Sequence, residues 1–205
     1  MPSNKDRLYI VLYTRESGGN PTMPGKEDTY HWALLVGPKL ETTYPSGILL
    51  HTQETPLPTG HSTWSFEEST WPLGPTSTIL ARITVGKVID KTRLLQSLRS
   101  TPVRQDDPRW NDVYWVKEAL GRLRVDPKGL GTSVTEWGKV RNGVMNFCQV
   151  KIEQEKVREA EREREMMMKK KNKRSIGMNV NVGSGGFGMK RVPTFDLMER
   201  KEVVA

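Results

Sequence analysis

Every run with strand-like patterning comes before every run with helical periodicity, and that order limits what the chain can fold into. Arg7–Thr14 (RLYIVLYT), Tyr30–Gly37 (YHWALLVG), Gly47–Glu54 (GILLHTQE), Ser62–Glu68 (STWSFEE) and Ser77–Val88 (STILARITVGKV) are rich in β-branched and aromatic residues. The turns between them mostly carry Gly or Pro. YHWALLVG is apolar on both faces, which suits an inner strand. After Val88 the period changes. Asp90 is placed to cap a helix carrying Leu94, Leu95 and Leu98. A second helix repeats Val113, Val116, Leu120 and Leu123 on one face. A third carries Trp137, Val140, Val144 and Phe147 behind Thr132 or Ser133 as cap, with Glu136 at the capping-box position for Ser133. Strands first and helices after predict an α+β fold, a mainly antiparallel five-stranded sheet followed by packed helices.

The 205 residues suffice for one ordinary domain and a tail. We place the α+β domain in residues 1–151, a charged helix extension with a disordered Gly-rich linker in 152–191, and a short C-terminal segment in 192–205. The net charge of +8 is uneven: residues 150–205 hold 14 Lys/Arg against 9 Asp/Glu. The single cysteine, Cys148, excludes an intrachain disulfide and fits a reducing compartment. The apolar run Leu8–Tyr13 is too short for a signal-peptide core or a membrane span, so a soluble cytoplasmic location is expected. A nuclear one follows if the cluster Lys169, Lys170, Lys171, Lys173 and Arg174 acts as an import signal. That cluster also predicts weak, salt-sensitive nucleic-acid binding, although a basic run is more often a solvated face.

Few residues are placed for chemistry. His31 and His51 sit on consecutive predicted strands and face each other if the register allows it. A strand histidine is, however, more often a hydrogen-bonded core or edge residue. Asp112, in RWNDVYWVKEAL, stands where a helix begins. As an N-cap its carboxylate would accept bonds from free amides, a contribution of roughly 0.5–2 kcal/mol. The same position would activate a thiol, because free amides and the helix dipole favour a thiolate and a nearby His completes the pair. Cys148 lies on the apolar side of a later helix and reads as inert packing. The chain has no P-loop, GxGxxG, zinc-finger spacing or G-x-S-x-G, and no cofactor is expected.

The segments KDRLYIVLYTR, TMPGKEDTYHWALLVGPK, TSTILARITVGKV, TPVRQDDPRWNDVYWVKEAL, GTSVTEWGKVR and VPTFDLMERKEVV resemble a family of small uncharacterised fungal proteins. The likeness runs from Lys5 to about Lys151 and resumes at Val192. A remoter resemblance is to permuted papain-like folds, including the lecithin retinol acyltransferase group. Those carry a His on one strand, a polar residue on the next and an Asn-Cys at a helix start. The resemblance puts His31, His51 and Asn111 at those places. The fungal family usually reads Trp-Asn-Cys here, whereas this chain reads Trp110-Asn111-Asp112, so the departure falls on the nucleophile.

The resemblance implies a degenerate papain-like module that acts by binding a protein, peptide or lipid ligand in a cleft lined by Trp32, Trp110 and Asn111 beside His31 and His51. One alternative is a hydrolase or acyltransferase with altered chemistry at His31, His51 and Asp112, including a two-His, one-carboxylate metal site, although no H-x-H or H-E-x-x-H spacing backs a metal. The other is a nuclear or nucleic-acid-associated protein led by its basic tail.

Overall fold

The computed structural model describes residues 5–15, 20–39, 46–58, 60–74, 78–105, 107–176 and 191–204, without the side chains of 170–176 and 204. Strands β1 (Arg7–Thr14), β2 (Tyr30–Gly37), β3 (Ser46–Pro56), β4 (Ser62–Pro72) and β5 (Ile79–Val88) come first. Helices α1 (Lys91–Arg99) and α2 (Asp112–Val125) follow, then β6 (Leu130–Ser133), α3 (Trp137–Ile176), β7 (Thr194–Asp196) and β8 (Lys201–Val204). The fold is α+β, but its sheet has eight strands rather than the expected five, in the order β4-β3-β2-β1-β5-β7-β8 with β6 on β5. All pairings are antiparallel except β5 with β7.

The three added strands are four residues long or shorter, too short to show a period of two. β7 and β8 come from the C-terminal segment and join the same sheet, β7 pairing with β5 and β8 with β7. Its Val192 is 2% exposed, and the Phe195 ring lies 5.2 Å from that of Phe147 in α3. The charged extension past residue 151 is a continuation of α3 to Ile176. The Gly-rich stretch read as a linker lies outside the described residues from 177 to 190.

Alternation along the central strands splits the interior into two layers. Leu8, Ile10, Leu12, Trp32, Leu34, Val36, Ala81, Ile83 and Val85 pack with the helices. Tyr9, Val11, Tyr13, Ala33, Leu35, Leu49 and Leu73 form a second cluster. A sheet buried on both faces accounts for the nearly continuous apolar reading of β1 and β2. α1 is capped as expected, with Asp90 accepting from Arg93 N at 2.9 Å. α3 is not: Ser133 ends β6, and the Glu136 carboxylate takes the first-turn amides of Gly138 (2.8 Å) and Lys139 (3.2 Å). The residue expected to close a capping box is itself the cap, because pairing with β5 holds Thr132 and Ser133 extended. No helix among the described residues is long and apolar enough to cross a membrane.

Candidate functional site

His31, His51 and Asp112 converge. β2 carries His31 near its N-terminal end, β3 carries His51, and α2 begins at Asp112. His31 Nδ1 lies 3.0 Å from Asp112 Oδ2, and His31 Nε2 lies 3.1 Å from His51 Nδ1. On its far side His51 Nε2 faces Glu67 Oε2 at 3.7 Å, from the residue paired with it across β3 and β4.

Asp112 is not the helix cap. Asn111 is: its backbone is extended and its side-chain oxygen accepts from Tyr114 N at 3.2 Å. That frees the Asp112 carboxylate, one residue into the helix, to turn towards β1 and β2. Oδ1 takes the Arg15 guanidinium, and Oδ2 takes the Trp32 amide at 2.6 Å as well as His31. Arg15 also donates from Nε to Tyr30 O at 3.1 Å, so one side chain ties the end of β1 to β2 and to α2. The result is a carboxylate with no solvent exposure and a donor on each oxygen, consistent with the rule that buried charge requires paired, hydrogen-bonded neighbours.

The donor directions follow from the carboxylate. A carboxylate only accepts, so His31 carries its proton on Nδ1. With both rings neutral, His31 Nε2 accepts from His51 Nδ1–H, and the remaining lone pair is on His51 Nε2, facing Glu67. This line can pass a proton inward from the solvent side. It cannot use Asp112 as a nucleophile, because both oxygens are occupied and neither meets solvent. It also does not present three ligands to one metal ion, since the histidine nitrogens are spent on each other and on the carboxylate. Among the described residues no group of His, Cys, Asp and Glu is arranged to hold a metal.

Burial pushes His51 below the ordinary histidine value, His31 adds to this, and Glu67 and Asp112 oppose it. A histidine depressed in the folded state lets the unfolded chain take up its proton first. Stability is therefore complete above the unfolded value of about 6.5 and is lost as pH falls from there through the folded value. We expect denaturant midpoints of the wild-type chain to drop between pH 7.5 and pH 5, and His51→Gln to remove part of that drop. Equal pH slopes for the two proteins would show that His51 carries no such linkage.

The residues expected to line a cleft are placed differently. Trp32 is fully buried, with its indole N–H on Glu27 O at 2.9 Å and its ring 5.6 Å from that of Trp137. Trp110 is 5% exposed and packs edge-on to Trp64. Both belong to the core between the sheet and the helices, Trp32 from the inner face of β2 and Trp110 from the loop that leads into α2. Asn111 is committed to capping. The solvent-reaching parts of the site are instead the side chains of Glu67 (49%), His31 (24%), Arg15 (24%) and His51 (17%). Arg15 and Glu67 escaped the sequence reading. Glu67 becomes visible only once the β3–β4 register is known, and nothing local marks Arg15. In the tail, Lys169 is exposed and lies 3.7 Å from Glu165, while the side chains of Lys170, Lys171, Lys173 and Arg174 lie outside the described residues.

No curated protein and no solved structure matches the chain significantly. A family signature matches from just before β1 to the end of β8, including every residue of the His31–His51–Asp112 line. The chain thus belongs to a family of unknown function (DUF6914), whose signature spans residues 5–204.

Proposed function

We propose that this protein is a papain-like scaffold in which Asp112 stands in the nucleophile's place, and that it acts by binding rather than by acyl transfer. One observation carries the reading. The residue at the start of α2 faces a strand histidine through Nδ1, and that histidine's Nε2 meets a polar residue on the next strand. A thiol at position 112 would sit in the same line, with His31 as its base and His51 as the orienting partner. With Asp there, the reactive pair becomes a closed ion cluster. The ligand meets the exposed edges of His31 and His51, and the resemblance to lipid- and peptide-processing folds supports a peptide or an acyl chain in that role.

The test is to restore the thiol. In a Cys148→Ala background, Asp112→Cys introduces a sulfur of similar size beside His31 and Arg15. The cations and the helix start favour the thiolate, so iodoacetamide should modify it faster than a free thiol near neutral pH. His31→Gln should slow that modification. Cys148, whose thiol is pushed up to about 11 by burial, gives the unreactive comparison. An introduced thiol as slow as Cys148, and indifferent to His31, would mean that the helix start holds no catalytic geometry and that Asp112 is purely structural.

A further inference from the structure

The opposite end of the central strands carries a second, unassigned cluster. Arg7 opens β1 and pairs across the sheet with Gly37 on β2 and with Lys87 on β5. A bulge shifts the β1–β5 register between Leu8 and Tyr9. Val85 and Gly86 therefore do not simply alternate, and Lys87 comes to stand opposite Arg7 on the same face. Directly opposed like charges on neighbouring strands are destabilising. Here they are joined by Lys5 and Lys39, and the four line a cavity of about 440 Å³ with Thr132 and Ile89 on its wall. Among the described residues no carboxylate lines it.

Nearby acids are hydrogen-bonded to other cations. Asp6 holds Lys91 at 2.8 Å, and Glu199 holds Lys201 at 2.6 Å while it also feels Lys39 and Lys87 at longer range. Among the described residues, Lys5, Lys39 and Lys87 have no ion-pair partner. Arg7 is 5% exposed, yet its guanidinium meets only backbone carbonyls, with Nη1 donating to Lys5 O at 2.7 Å and Asp6 O at 3.2 Å. A nearly buried guanidinium with no carboxylate on it among the described residues, beside three lysines of which Lys39 and Lys87 share the longer-range field of Glu199, is costly unless an anion fills the space between them.

We propose that the cavity bounded by Lys5, Arg7, Lys39 and Lys87 is a binding site for a phosphate-bearing anion. Arg supplies a planar fork for phosphoryl oxygens, and lysines supply movable point charges around it. Four cations with no carboxylate among the described lining residues suit a group carrying more than one negative charge. The site is six residues along β1 from Tyr13, roughly 20 Å at about 3.4 Å per residue, so it is separate from the His31–Asp112 line.

Two phosphate probes test it on the full chain: inorganic tripolyphosphate by calorimetry, and phosphatidylcholine vesicles carrying a phosphoinositide by co-sedimentation. The variants are Lys39→Gln with Lys87→Gln, and Lys170→Gln with Lys171→Gln, which removes the same charge from the tail. Each must keep the wild-type melting temperature. Lost charge-assisted bonds should weaken tripolyphosphate binding about tenfold or more in the first pair, with at most about a twofold change in the second. Vesicle binding lost in the first pair alone identifies a lipid headgroup as the phosphate's source, and vesicle indifference identifies a soluble one. The proposal is overturned if neither probe binds the wild-type chain, or if both variant pairs lose affinity equally, since net charge would then explain the result.

Discussion

Asp112→Ala should cost about 3–5 kcal/mol of folding stability, well beyond the roughly 0.5–2 kcal/mol expected for a helix cap. The difference follows from what the carboxylate holds. Its removal strands the Arg15 guanidinium, the His31 Nδ1–H and the Trp32 amide in a region where the carboxylate itself had no solvent contact. Arg15 is 24% exposed and can recover some hydration; the Trp32 amide is buried and cannot. Asp112→Asn keeps the size and an acceptor for the amide, so it should cost less. Chemical denaturation of both variants, with Arg15→Gln alone and combined, gives the coupling between the two side chains. A loss under 1 kcal/mol for Asp112→Ala would contradict a stabilising ion cluster around Asp112.

Removing residues 192–205 should have a larger effect still, leaving a chain that does not hold a cooperative fold. The segment buries Val192, sets Phe195 on Phe147, and lays Leu197 against Gly143 so closely that an added Cβ there would meet the Leu197 side chain at 2.5 Å. A fully buried apolar side chain such as Val192 contributes about 1.5–3 kcal/mol and the half-buried Phe195 and Leu197 each add a part of that, a large fraction of the stability of an ordinary domain. Main-chain bonds go too: Arg82 N to Pro193 O at 2.9 Å and Leu197 N to Thr84 O at 3.0 Å. So does the acceptor for the Arg82 Nε, Thr194 Oγ1 at 3.1 Å. Thermal melting and light scattering check the outcome, and a synthetic peptide of residues 192–205 added in trans should restore solubility by pairing with β5. A truncated chain that melts like the full one would show that β7 and β8 are ornamental.

The first five strands and the first two helices were legible because each is long enough to repeat its period. β1 shows seven buried residues in a row, and α2 places Val113, Val116, Leu120 and Leu123 on the buried side as its spacing predicted. β6, β7 and β8 were not legible. LGTS reads as a helix-capping sequence until Gly86 and Val88 claim it as a strand, and TFD has no periodicity at all. The site divides the same way. The histidines stood out as a rare residue type on consecutive strands and Asp112 as a carboxylate at a helix start, and the fold brings them together. Arg15 and Glu67 belong to abundant, normally solvated types, and only the register identifies them. Asn111 and Asp112 exchanged roles because both residue types cap helices well, and the choice between them rests on Arg15 and His31, which are distant in sequence.

The parallel pairing of β5 with β7 joins Arg82 to Thr194, 112 residues apart. Such contacts form late, because a long loop must close before they bring any return. At synthesis rates of about 5–20 residues per second, roughly 6–22 s pass between the emergence of the two partners from the ribosome. Throughout that interval the Arg82–Thr84 edge of β5 is an open template for another chain. Arg82 itself guards it: a cation in the middle of a waiting edge repels a second copy presenting the same residue, then is buried against Thr194 once the true partner arrives. The arginine thus acts as a nascent-chain gatekeeper before it becomes part of the interior.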